Sequence, residues 1–152
     1  MGELLAWIEG LPPAAALRTS FVAYPLVNAA HILAIGMLVT SVLVMHWALL
    51  VPRRSLPEEM ITPQLRPVAI VAFLVAALTG FALFSIRATD YAGNSAFLVK
   101  LGLIAAAIVN FIVFIALARS GASDQTRRGS AVLSSVLWIS ALVAGRFIGF
   151  VE

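Results

Sequence analysis

Tyr24, Asn28 and His31 stand at i, i+4 and i+7 in an otherwise apolar stretch, so a helix places them on one face. Imidazole is the most frequent metal ligand among side chains, and it carries a proton near neutral pH. In an apolar run it points to three kinds of role: haem or metal ligation, a quinone or proton-relay site, or a helix–helix hydrogen bond to Asn110 or a backbone carbonyl. His46 follows fifteen residues later. That is ~22 Å along a helix and ~60° around it, so the two histidines cannot hold one metal ion. They can address separate cofactors near opposite leaflets. His46 adjoins Trp47 and precedes Arg53 by seven residues, which reads as an interfacial belt position.

Three cations complete the polar inventory near His31. Arg87 ends the second apolar run, Lys100 opens the third, and Arg146 lies inside the fourth beside Gly145. Together they predict an electropositive pocket at the depth of His31, suited to haem propionates, a quinone headgroup or a lipid phosphate. The alternative is snorkelling to the interface, with Glu9, Asp90 or Glu152 as counter-ions. Asn110, in the middle of the third run, reads as interhelical hydrogen-bonding glue.

What is missing narrows the chemistry. No cysteine occurs, which excludes disulfides, thiolate metal sites, cysteine-ligated iron–sulfur clusters and haem attached through C-x-x-C-H. The apolar runs hold no Asp or Glu, which argues against a proton- or cation-coupled pump. No phosphate-binding loop, nucleophile elbow or zinc-protease motif is present.

The elements that position these residues are membrane helices. Of 152 residues, 62% are hydrophobic and 11% charged, more apolar surface than a water-soluble fold of this size can hide. Continuous apolar runs exclude strands with lipid-exposed edges. The runs predict an all-α bundle of four transmembrane helices over 21–51, 68–86, 96–118 and 131–151, forming one domain. Residues 2–11 predict a short interfacial helix with Trp7 at headgroup level, ended by Pro12 and Pro13, which can open a further helix. Glu3 and Glu9 are the first charges, so the start does not read as a secretory signal. Residues 52–67 read as a loop.

Small residues spaced four apart, Ala72, Ala76 and Gly80 in the second run and Ala141, Gly145 and Gly149 in the fourth, predict close helix packing. Arg53, Arg54, Arg66, Arg119, Arg127 and Arg128 flank loops one and three, against Arg18, Arg87, Lys100 and Arg146 on the other side. The bias predicts periplasmic termini. The net charge of +3 resides in these short connections, as topology signals and lipid contacts do, and does not suggest nucleic acid as a partner.

Several stretches resemble a functionally uncharacterised family of small four-helix bacterial inner-membrane proteins. They are Trp7-Ile8-Glu9, Leu17-Arg18-Thr19-Ser20, the run from Tyr24-Pro25-Leu26 through Asn28 to His31-Ile32-Leu33, Thr79-Gly80-Phe81, Tyr91-Ala92-Gly93-Asn94, Asn110 and Ala144-Gly145-Arg146-Phe147. More distantly, the arrangement is similar to copper-resistance protein D and the four-helix b-type cytochromes, which carry an early histidine on the first helix. That similarity implies haem or copper handling. Where the family carries an acid and a nearby arginine at the inner end of the first helix, this chain has Met45-His46-Trp47-Ala48-Leu49-Leu50, so no family-wide role for His46 follows.

The leading expectation is a non-catalytic membrane component of a redox or metal-handling system. It would bind haem b through His31, with Lys100 and Arg146 near the propionates and Asn28 and Tyr24 beside the ligand. The alternatives are a cofactor-free accessory subunit of a larger membrane complex and a small transporter subunit. Lipid and other membrane subunits, or further copies of the chain, are the expected partners.

Overall fold

The computed structural model describes residues 2–51 and 58–150. Arg53 and Arg54 of the topology argument, Val151 at the expected end of the fourth span, and Glu152 as a counter-ion lie outside the described residues. Among the described residues, seven helices follow one another: α1 (Gly2–Glu9), α2 (Pro12–Thr19), α3 (Ala23–Leu50), α4 (Glu58–Ile86), α5 (Ala88–Gly93), α6 (Ser95–Arg119) and α7 (Asp124–Phe147). No strand occurs among the described residues. The chain is all-helical, and α3, α4, α6 and α7 are each long and apolar enough to cross a membrane.

Local chemistry explains the boundaries. Pro12 and Pro13 occupy the first turn of α2, where a missing N–H costs nothing. Pro25 likewise falls in the first turn of α3 and marks its start without kinking it. Asn94 caps α6 by accepting from the Phe97 N–H at 3.0 Å, and Ser123 caps α7 by accepting from the Thr126 N–H at 3.3 Å. At the far end of α6, Gly121 adopts φ +70°, and the Ala122 N–H donates back to the Leu117 carbonyl at 3.1 Å. This left-handed cap ends the helix.

The second membrane helix departs from its sequence reading. α4 begins at Glu58, so part of the expected 52–67 loop is helical, with Pro63 and Pro67 inside it. Glu58 and Glu59 sit in its first turn, where the helix dipole favours acids. The fourth helix also starts earlier than expected, at Asp124, because its first two turns are polar and lie outside the apolar window.

The four long helices form two hairpins, α3 with α4 and α6 with α7, joined where α3 meets α7. The small-residue faces serve these joints: Ala72 is 3% exposed and Ala141 is 4% exposed. Gly149 meets nothing within 4 Å, so that face is packed only as far as Gly145. Among the described residues, no Cα of α4 comes within 8 Å of one in α6. The bundle is therefore open on one side, with a cleft between α4 and α6 floored by α3 and α7. Leu38, Val42, Ala69 and Ala72 form the buried core beneath it.

The two ends of the bundle differ. At one end α1, α2 and α5 form a cap. There the Thr89 N–H donates to Glu9 Oε1 at 2.7 Å, and Arg18 Nη2 donates to the Glu9 carbonyl at 3.2 Å. The bonding to Thr89, and to a lesser degree the Arg18 charge, hold the Glu9 carboxyl below the ordinary glutamate range. Phe84 and Phe97 stack at 5.4 Å and 6°, with Tyr91 against both, and so bridge α4 to α6 at this capped end. At the opposite, loop end, Arg127 Nη2 meets Glu58 Oε1 at 2.7 Å.

Candidate functional site

His31 projects from α3 onto α4. Its Nδ1 lies 2.9 Å from Thr79 Oγ1, and Thr79 in turn donates to the Val75 carbonyl at 2.6 Å. A hydroxyl has one proton, and here a helix carbonyl takes it. The network therefore makes Nδ1–H the donor to Thr79 and leaves the lone pair on Nε2. Gly80 makes room for the ring: a Cβ there would stand 2.9 Å from His31 Cε1. The partner of His31 is thus Thr79. Asn110 instead joins α6 to α7, with Nδ2 donating to the Ser130 carbonyl at 3.0 Å and Oδ1 accepting from the Ser130 hydroxyl at 3.1 Å. Its reading as packing glue describes what it does.

Lys100 comes closest to the pocket expected around His31. A Cβ on Gly145 would meet Lys100 Cδ, Cε and Nζ at 3.4 Å, so the lysine stem lies across the glycine of α7. From there its charge acts on His31, although α3 and α6 make no close backbone approach. Among the described residues, Lys100 has no ion-pair partner. Gly145 is the gap through which α6 delivers a cation to the side of α3.

The remaining candidates are not drawn to His31 by any contact. Arg146 is exposed, with its guanidinium 5.3 Å from the Phe150 ring centroid, a cation–π contact at the rim. Arg87 is exposed at the bend that starts α5. Tyr24 is 43% exposed and stands near Tyr91 in the aromatic group of the capped end. Burial, then that neighbour, pushes the Tyr91 phenol above its ordinary range. Asn28 is half-buried one turn before His31, and its amide makes no hydrogen bond among the described residues.

His46 repeats the pattern of His31 near the loop end. Its Nδ1 lies 2.9 Å from Ser135 Oγ, and Ser135 donates to the Ala131 carbonyl at 2.9 Å. The same proton count leaves Nε2 of His46 as an acceptor. It ties α3 to α7 and faces into the bundle, while Trp47, 60% exposed, takes the belt position expected of its neighbour. The expectation for His46 failed because adjacent positions on a helix point 100° apart.

No family model, curated protein or solved structure matches this chain.

His46 lines a cavity of about 460 Å³ in the cleft between α4 and α6. Its walls are apolar and aromatic, including Val42, Ile70, Phe73, Phe111 and Trp138. A second cavity of about 490 Å³ lies under α2 at the capped end, lined by Leu17 and Phe81. Neither reaches His31. Among the described residues, no three His, Asp or Glu side chains converge as a bare metal ion would need. Haem iron asks less, since it takes one or two axial ligands from protein.

Proposed function

We propose that this chain is a non-catalytic membrane component of a redox or metal-handling system and that His31 would hold haem b through its Nε2. The observation that carries this reading is the His31–Thr79–Val75 relay, which fixes the tautomer a ligating imidazole needs. Lys100, which has no ion-pair partner among the described residues, supplies a cation at the same site and suits a propionate. Bound haem would supply one-electron transfer. Besides His31, the haem would be held by another subunit, a methionine or water. Arg146, Asn28 and Tyr24 would meet the haem away from its iron, since none of them contacts His31 among the described residues.

The resemblance to small four-helix inner-membrane proteins supports a bacterial inner-membrane location. Arg66, Arg119, Arg127 and Arg128 gather at the loop end and favour placing it in the cytoplasm, with both termini periplasmic. A second reading rests on the close fit of His31 against Gly80: the histidine is a clamp between α3 and α4 in a cofactor-free accessory subunit.

An absorbance spectrum of detergent-purified protein separates the two. The first reading expects a Soret band with reducible α and β bands, lost in His31→Ala and retained in His46→Ala. A flat visible spectrum after expression with haem supplied supports the clamp instead.

A further inference from the structure

The cleft between α4 and α6 has the composition of a ligand site that His31 does not share. It opens between the apolar stretches of two helices whose backbones stay apart and which Phe84 and Phe97 bridge at the capped end, so its access is from lipid. Its volume, about 460 Å³, lies within the range of small-molecule sites, roughly 300–1,000 Å³. Phe73 and Trp138 meet edge to face at 6.2 Å across it, and Phe111 adds a third aromatic surface to the wall. A flat ring packs well against such surfaces.

His46, Glu58, Thr62, Arg66, Asn110 and Ser134 interrupt these walls, and the Nε2 of His46 and the hydroxyl of Ser134 take no part in the hydrogen bonds of the bundle among the described residues. His46 lines the cleft with Nδ1 committed to Ser135, so Nε2 remains an acceptor. Ser134, on the neighbouring position of α7, is only 6% exposed and lines the same cleft. Its hydroxyl makes no hydrogen bond among the described residues. The hydroxyl keeps a donor and an acceptor that a ligand in the cleft can use. Asn110 also lines the cleft, but Ser130 already engages its amide. His46 lies near the end of α3, about one turn of helix, or ~5 Å, inside its last residue. The polar point therefore sits just below the interface, with apolar wall continuing towards the core.

We propose that this cleft binds a lipid-soluble quinol, whose ring hydroxyl donates to His46 Nε2 and accepts from Ser134 Oγ while its alkyl tail leaves between α4 and α6. The complementarity is one of chemistry: an acceptor and a donor that line the same cleft match a hydroxyl, and the aromatic wall matches its ring. A phospholipid would instead set its phosphate on Arg66 at the mouth and would make no use of His46. The inference names a substrate class for the proposed redox role, and it stands on the cleft alone, independent of haem at His31.

The test uses the full chain in phosphatidylcholine nanodiscs, with Trp7→Phe and Trp47→Phe so that Trp138 in the cleft is the remaining tryptophan. Decylubiquinol is titrated and Trp138 emission is followed. The expected result is saturable binding, at least tenfold weaker in His46→Ala, several-fold weaker in Ser134→Ala and unchanged in His31→Ala. Ser134→Ala removes a hydroxyl that bonds nothing in the bundle, so it keeps the fold when His46→Ala does not. Non-saturable quenching, or equal affinity in wild type and Ser134→Ala, overturns the proposal. So does competition by phosphatidylglycerol that depends on Arg66 and not on Ser134, which assigns the cleft to phospholipid. A protein with no Soret band that still binds the quinol removes the haem reading and leaves the cleft assignment standing.

Discussion

Gly80 and His31 fit each other so closely that a single added carbon on Gly80 would stand 2.9 Å from the imidazole Cε1. The glycine lies one residue beyond Thr79, which accepts from Nδ1 of the same ring. The two neighbours on α4 thus supply the space and the hydrogen bond that hold the histidine of α3.

Gly80→Ala is expected to push the ring off Thr79 and loosen the α3–α4 joint, costing about 1–3 kcal/mol as overpacking. Gly145→Ala should cost less, because the atoms it meets, at 3.4 Å, belong to the flexible stem of Lys100. Gly145→Leu is large enough to displace that lysine and strain the α6–α7 joint. Unfolding midpoints in detergent for the three variants check this order. Equal destabilisation by Gly80→Ala and Gly145→Ala contradicts it.

Ser135→Ala removes the hydroxyl that accepts from His46 and with it a link between the two hairpins. Interhelical hydrogen bonds in membranes contribute about 0.6–1.7 kcal/mol, and a loss in that range is expected. Ser134→Ala, one position away, should change stability little. The pair of variants, compared by reversible denaturation, reads out the hydrogen bond itself.

At the loop end, Arg127 pairs with Glu58, their side chains 23% and 31% exposed, and its Nε is buried without a partner. Glu58→Gln is expected to cost about 1–2 kcal/mol, between the values for exposed and buried pairs, because Arg127 is left half-desolvated. Asp124 lies 3.9 Å from Arg127 and is 74% exposed, so Asp124→Asn should cost less than half as much. Thermal stability at low and high salt checks both, and salt should weaken the Asp124 effect more.

The clasp between Glu9 and the Thr89 amide depends on pH. Folding lowers the Glu9 pKa, so its contribution is present above the ordinary glutamate range and is lost as pH falls through the lowered value. Hydrogen-exchange protection of the Thr89 amide should hold from neutral pH down to that range and then collapse. Glu9→Gln should show weak protection at every pH. Protection in wild type that persists well below the glutamate range rules out the clasp as its source.

Apolar length and charge placement were enough to read four membrane helices, because lipid permits few other ways to satisfy the backbone. They could not place the start of α4 at Glu58, since prolines 63 and 67 look like loop residues until the helix around them is seen. Helical spacing put Asn28 and His31 on one face, and Lys100 at the same depth, from residue type and position alone. Which group the imidazole meets is decided by the way α3 packs on α4, and Thr79 looked like a residue that merely bonds its own helix. That Lys100 reaches past Gly145 and that Arg146 turns outward onto Phe150 depends on the rotation of α7 between its neighbours. The cleft at His46 was invisible in the sequence for the same reason. A cavity is a property of helices whose backbones stand apart, and the separation of α4 from α6 along most of their length is set by the order of packing, not by either helix alone.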